Sequence, residues 1–408
     1  LNTASEALSP PRDAPATVWS ALDQTAMTEA RSLARLGAGR TWTNPMVGAV
    51  VVAEGGVVGV GYHRRLGDAH AESVALAAAG RRACGATLYV NLEPCAHHGR
   101  TSPCVEAIAA AGIRRVVMAA PDPDPRVSGT GAEWLRARGV VVDAGCHAVS
   151  AIIDNHGYYH DRLGFVRTVT LKMASARDGM VARAPGRRDR VTGDAAQEDA
   201  HRLRAVHDAV AIGAATARID RPRLDCRRLP NGVDHEPVIV VFDTTASVAN
   251  DAGWPARGRE FVVVTGPAPE ASRVRAIEAR GGRVVRCALE RGSVSVRDAL
   301  DRLAGAGLHR ILVEGGPRLV ASFVGAQAWD AMWHYESPER FGPAGVAMMS
   351  DAARDAFERA RTSAVDELTL GPDVRRRYAN ARSWQRLIGA LGARVSPRGG
   401  VARVHGNR

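Results

Sequence analysis

Along most of its length the chain alternates between two hydrophobic periods. Met27, Ala30, Leu33 and Ala34 recur at helical spacing and predict an amphipathic helix over residues 23–36. Residues 47–60 are apolar and broken by Gly55-Gly56, which predicts a hairpin. The alanine-rich stretch 70–79 contains no proline or glycine and is followed by Gly80, so it reads as a helix. A strand over 87–92, a helix over 103–111, a strand over 115–120 and a helix over 129–138 complete this run. A second run begins near residue 166. It predicts a strand over 166–173, a helix over 195–209, strands over 238–242 and 261–265, and a helix over 296–303. A strand over 310–313 then leads into Glu314-Gly315-Gly316-Pro317. Strands alternating with helices define an α/β fold class, and no internal repeat is visible.

At 408 residues the chain is too long for one comfortable core. Residues 1–18, with Pro10, Pro11 and Pro15, read as a flexible leader. The expected organisation is a first domain over 19–150, a linker over 151–165 and a second domain over 166–408. No apolar run is long enough to cross a bilayer, and no basic segment precedes a hydrophobic one near the start. A soluble, cytoplasmic protein with no membrane partner is expected. Six cysteines in this length are too sparse for a disulfide framework. The net charge of +11 would suit nucleic acid, but the arginines are scattered and Lys172 is the only lysine. That is a compositional bias rather than a basic footprint, so no nucleic-acid partner is expected. Against the same bias, Lys172 stands out.

The chemistry concentrates in His70-Ala71-Glu72, Pro94-Cys95 and Pro103-Cys104. One imidazole and two thiolates would hold a tetrahedral Zn²⁺ and leave its fourth position for water, whose pKa the metal lowers. Glu72 is placed to shuttle that water's proton. This is how hydrolytic deaminases exchange a ring amino group for oxygen. The predicted helix starts at His70 and Cys104 would point positive dipole ends at the site. A closed structural zinc site, in a structural or regulatory zinc-binding protein, would need a fourth ligand such as His97 or His98. Eight residues separate Cys95 from Cys104, where nucleoside and nucleic-acid deaminases commonly have two. This longer loop, with His97, His98 and Arg100, can build a polar wall and anchor a phosphate. Asn44 and His63 are further polar residues near predicted strand ends.

Residues 23–147 resemble the deaminase half of the bifunctional riboflavin-biosynthesis deaminase/reductase family. The matching stretches are Asn44-Pro45-Met46-Val47-Gly48, His70-Ala71-Glu72, the run from Leu92 to Thr101, and Asp122-Pro123-Asp124-Pro125 with Gly129 and Gly131. The resemblance implies a cytidine-deaminase-like three-layer α/β/α domain. It implies one Zn²⁺ on His70, Cys95 and Cys104, Glu72 as the catalytic acid–base, and Asn44, His63, His97 and Arg100 around the substrate. That substrate would be a phosphorylated small molecule, a 2,5-diaminopyrimidinone bearing ribosylamino 5-phosphate. Thr43, Ser102 and Asp124 stand where the family usually has proline, proline and asparagine.

The second half is similar to the reductase half of the same family, whose fold is like dihydrofolate reductase and whose cofactor is NADPH. The pieces are Lys172-Met173-Ala174, Asp178-Gly179, Thr192-Gly193, Arg204, Asp208, Gly213 and Thr216, then Asp220 to Leu224, Arg227, and Glu314 to Pro317. The resemblance places Ala174, Thr192, Thr216, Asp220, Gly315 and Gly316 at the cofactor. It places Lys172, Arg204, Leu224, Arg227 and Glu314 on the substrate side, with hydride delivered to the ribosyl C1′. Taken alone, the Gly-Gly turn lacks the Gly-x-Gly-x-x-Gly spacing of a dinucleotide fingerprint. Ala176 and Arg177 replace a usual serine and leucine, and Arg190 replaces a usual tryptophan. Such departures also fit a deaminase working in a related pyrimidine-derived pathway with an altered reductase domain. The family commonly assembles as homodimers or homotetramers through its reductase domains.

Overall fold

A computed structural model describes residues 19–98, 102–124, 127–251, 253–255 and 258–392. The expected leader and Arg100 lie outside these residues. The chain divides into two compact units. One comprises the described residues of Leu1–Phe165 and Gln385–Arg408, the other Val166–Trp384.

The first unit is built on five strands, β1 (Gly48–Ala53), β2 (Gly56–Tyr62), β3 (Thr87–Val90), β4 (Arg115–Met118) and β5 (Val141–Ala144), in the order β2-β1-β3-β4-β5. β1 and β2 form the expected hairpin, and β3, β4 and β5 run parallel to one another. The helix Ala21–Ala34 opens with a capping box between Ser20 and Asp23. It covers one face of the sheet: Tyr89 on β3 donates its hydroxyl to Asp23, and a Cβ on Gly48 of β1 would fall 2.1 Å from the Ala30 carbonyl. The opposite face packs Ala49, Val51, Leu88, Val116 and Met118 against helices Ala71–Ala79, Cys104–Ala110 and Thr130–Arg136. Three α/β/α layers result. Residues expected as a linker form helices Ala148–Asp154 and His156–Arg162, with Tyr159 fully buried.

The second unit carries nine strands in one sheet: β6 (Thr168–Ala176), β8 (Ala209–Gly213), β9 (Val238–Phe242), β10 (Phe261–Thr265), β11 (Arg283–Arg286), β14 (Arg310–Val313), β15 (Ala331–Ser337), β17 (Asp366–Leu370) and β18 (Asp373–Ala379). Short pairs lie outside it, β7 (Met180–Ala182) with β16 (Val346–Ala347) and β12 (Leu289–Glu290) with β13 (Ser293–Val294). The order β11-β10-β9-β8-β14-β6-β15-β18-β17 is parallel except that β18 pairs antiparallel with both β15 and β17. Helices Val296–Gly305, Pro317–Gly325 and Asp351–Ala360 cover one face, and helices Asp194–Ala205, Ala214–Asp220 and Ala271–Glu278 the other.

The helix expected over 195–209 ends at Ala205, and residues 209–213 form the buried central strand β8. Ala-Val-Ala-Ile buried on both faces has no alternation, so its apolar run is indistinguishable by period from a buried helix. Asp208 makes the break: its carboxylate accepts from the backbone N–H groups of His309 and Arg310 and pairs with the Arg310 side chain. Among the described residues no helix is long and apolar enough to cross a membrane.

Candidate active site

In the first unit two helix starts and one strand end converge. His70 is the N-cap of helix Ala71–Ala79, which places Glu72 in its first turn. Cys104 opens the next helix, and Cys95 follows β3. His70 Nδ1 lies 3.2 Å from Cys104 Sγ and 3.5 Å from Cys95 Sγ, and the Cys104 backbone N–H donates to Cys95 Sγ at 3.4 Å. The three ligand atoms lie within 4.8 Å of one another. One imidazole and two thiols suit the borderline-soft Zn²⁺, and this described trio leaves a fourth tetrahedral position open. The Cys95 thiol is pushed down to about 4, first by the Cys104 hydrogen bond and then by His70. Cys104 moves up, so without metal the pair holds one shared proton, which a bound metal would displace. Glu72 is buried, and that burial, reinforced by Cys95, raises its carboxyl above the usual range.

These groups open into a cavity of ≈ 690 Å³ that brings together Asn44, His63, His70, Glu72, Cys95 and His97. Asn44 Nδ2 lies 3.1 Å from His63 Nε2, and His63 Nδ1 lies 3.2 Å from the Ala69 carbonyl. The second contact fixes the ring, which meets His70 edge-on at 5.6 Å. Burial pushes the His63 imidazole down, keeping it neutral and able to accept. His97 is exposed on the cavity wall, whereas His98 turns out toward Glu106 at 3.5 Å.

The cavity also has walls to which the sequence assigned no role. Asp122, Asp124, Tyr158 and Arg162 line it. Burial raises the Asp122 carboxyl to about 6. Glu93 works from behind: its carboxylate accepts from the backbone N–H of Asp122 (3.2 Å), Gly129 (2.9 Å), Gly131 (3.1 Å) and Ala132 (3.2 Å). It thereby ties the Cys95 loop to the 122–132 turn and caps the helix that follows. Glu93 was visible in the matching stretch, but its partners are backbone groups 29 to 39 residues away, which no side-chain pattern marks.

In the second unit the register gathers the expected polar residues at one edge of the sheet. Val313 of β14 pairs with Leu171 of β6 and Ala211 of β8, so Lys172 and Glu314 emerge side by side. Arg204 grips Glu314 with two bonds, 2.5 and 2.9 Å, and Lys172 Nζ sits 3.7 Å from the same carboxylate. These cations hold the Glu314 carboxyl down to about 2 against its burial. Arg204 also donates to the Asp225 carbonyl, and Arg227 pairs with the Asp225 carboxylate. Leu224 is placed differently from a lining residue: its side chain is 3% exposed and packs in the core with Val210 and Ile239. Arg190, at the tryptophan position, folds back. Its Nε donates to the Thr192 carbonyl at 3.1 Å and its Nη2 pairs with Asp194 at 2.8 Å, clamping the Thr192-Gly193 turn. Asp373 accepts from the Gly193 N–H at 2.7 Å.

The same edge suits a dinucleotide. β8 and β14 lead into helices that start at Gly213 and Gly316, the kind of crevice where open α/β sheets bind ligands. Thr216 Oγ1 accepts from the Gly316 N–H at 3.2 Å, and a Cβ on Gly315 would strike Leu319 at 2.7 Å. Gly315 is therefore required by the packing of Leu319, and the Gly316 N–H at the helix start is engaged by Thr216. Ala174 lies on β6 opposite Tyr335, and Asp220, raised by burial, ends the helix that carries Thr216.

Residues 20–120 match the cytidine and deoxycytidylate deaminase zinc-binding region, and residues 167–373 match the RibD C-terminal domain. The fold and the site thus define a zinc deaminase joined to a reductase. The riboflavin biosynthesis protein RibD of Bacillus amyloliquefaciens is 36% identical over 363 residues, which span 86% of this chain and 94% of that protein. That of Aquifex aeolicus is 36% identical over 359 residues, spanning 86% and 97%. The crystal structure of a diaminohydroxyphosphoribosylaminopyrimidine deaminase/5-amino-6-(5-phosphoribosylamino)uracil reductase from Thermotoga maritima superposes with a TM-score of 0.60 at 30% identity. It covers 88% of this chain and 99% of that one. The chain belongs to the RibD family of bifunctional deaminase/reductases of riboflavin biosynthesis, which use Zn²⁺ and NADPH.

Proposed function

We propose that the first unit deaminates 2,5-diamino-6-(ribosylamino)-4(3H)-pyrimidinone 5′-phosphate, and that the second reduces the ribosyl group of the product to ribityl. The observation that carries this reading is the convergence of His70, Cys95 and Cys104 beside a buried Glu72 in one cavity. In this reading residues 19–150 are the deaminase domain and the reductase domain begins at 166. His70, Cys95 and Cys104 hold the zinc, which when bound supplies a Lewis acid that makes water nucleophilic near neutral pH. Glu72 would take the water's first proton to the ring nitrogen, then carry the second from the added hydroxyl to the amino group, which leaves as ammonia as the C=O bond forms. Its burial raises its proton affinity, which favours uptake of the water's proton by the carboxylate. Asn44, His63 and His97 orient the ring, and the family resemblance assigns Arg100 to the substrate as well.

In the second unit Thr192, Thr216, Asp220, Gly315 and Gly316 surround the cofactor, with the backbone of Ala174 beside it. NADPH, when bound, supplies the hydride for C1′. Lys172, Arg204 and Glu314 hold the opened sugar by a fixed ion-pair network, with Arg227 and the Leu224 segment behind Arg204. Orientation does most of this work. The protein works in the cytoplasm and assembles as a homodimer or homotetramer through its reductase domains.

The test is mass spectrometry of products from zinc-loaded protein incubated with the diaminopyrimidinone ribosylamino phosphate. Replacement of NH by O without cofactor, then gain of two hydrogens only with NADPH, is expected. Chelation of zinc should stop the first change and leave the second intact when the deaminated compound is supplied. Deamination with no NADPH-dependent step would overturn the reductase assignment.

A further inference from the structure

The charge lining the deaminase cavity is lopsided. Asp68, Glu72, Glu93, Asp122 and Asp124 face it, while Arg162 is the one arginine among the described lining residues. Arg162 ends the helix His156–Arg162 and is exposed. Its guanidinium lies over the Tyr158 ring, 5.3 Å from the centroid. That ring is anchored in turn, because the Tyr158 hydroxyl is 3.3 Å from both carboxylate oxygens of Asp122. Among the described residues no carboxylate pairs with Arg162, although five share its cavity.

A phosphate dianion on the substrate is disfavoured beside the ionised carboxylates of this wall, and Arg162 is the one arginine among the described lining residues that can meet it. Arg162, held beside the Tyr158 ring and hydrogen-bonded to its hydroxyl, presents a guanidinium fork to phosphate oxygens. We propose that Arg162 binds the phosphate of the deaminase substrate and makes this site select phosphorylated over unphosphorylated pyrimidine ribosides. Asp122 and Tyr158 act as positioning residues for it. This inference rests on the function proposed above.

The experiment compares kcat/KM for deamination of the 5′-phosphate and of its phosphatase-treated counterpart, in the full-length zinc-loaded wild type and in Arg162→Ala. Loss of a partly exposed charge-assisted contact corresponds to about a tenfold fall in the phosphate preference, carried by KM. Arg162→Lys should restore part of it, a point charge replacing a fork. Equal losses on both substrates, or an unchanged preference in Arg162→Ala when Arg100→Ala abolishes it, would overturn the proposal. Failure of the wild type to release ammonia from either substrate would overturn the proposed function itself and this inference with it.

Discussion

Replacing Glu93 by glutamine changes one oxygen to nitrogen and should destabilise the first unit selectively. The carboxylate is 4% exposed, and each oxygen serves two backbone donors: Oε2 takes Asp122 and Gly129, Oε1 takes Gly131 and Ala132. An amide keeps one acceptor oxygen and turns its NH₂ toward the other pair, so two bonds are lost and two buried N–H groups are left facing donors. Bonds to a charged acceptor contribute about 1.5–3 kcal/mol each, so the gross loss is about 3–6 kcal/mol. Burial raises the Glu93 carboxyl's proton affinity despite the four bonds. A neutral amide therefore recovers part of the ion's desolvation cost, and the net loss is about 2–3 kcal/mol. For a unit of this size that lowers the melting temperature by about 4–12 °C. The turn cannot slide to compensate, since a Cβ on Gly131 would already lie 2.0 Å from the Pro94 carbonyl. Calorimetry should show the deaminase transition moving down while NADPH-dependent reduction of the deaminated compound persists. A Glu93→Gln protein melting within a degree or so of wild type would refute the clamp.

Glu72→Gln should retain zinc by metal analysis and lose deamination by about 10²–10⁴-fold, the usual worth of a positioned acid–base group. Glu314→Gln should uncouple Arg204 and Lys172 and lower reductase kcat/KM by at least about tenfold, with deamination unchanged, since breaking a buried charged pair strands its partners. Acid should weaken the second unit: His207 and His334 are both pushed down to about 4 by burial, against an ordinary 6.5. The unfolded chain binds their protons first, so stability falls as pH drops from 6.5 to 4, by at most about 1.4 kcal/mol per pH unit for each group. Urea unfolding at stepped pH would read this slope, and His207→Gln should flatten it.

The metal trio, the acid beside it and the Asn44–His63 pair were legible because each sits at a predicted boundary. Helix starts and strand ends are where short-range pattern and chemistry coincide. Residues 151–165 read only as a linker, yet they carry Tyr158 and Arg162 to the cavity wall. Nothing local distinguishes an arginine that ends a helix beside an active site from the other arginines of so arginine-rich a chain. Leu224 illustrates the converse: the motif names it, and packing sends its side chain into the core.

By itself the sequence determined the α/β class, most elements of the first unit, and the ligand types and spacing that select zinc. Those are set by local periodicity and by the chemistry of single side chains. Only the tertiary structure decided which strand lies beside which. Inserting β14 between β8 and β6 is what puts Glu314 against Lys172 and Arg204. The same long-range pairing aims four backbone N–H groups at Glu93 and leaves Arg162 without a carboxylate partner among the described residues. Strand order and backbone donors are properties of the closed fold, in which contacts between distant residues must satisfy burial and hydrogen bonding together.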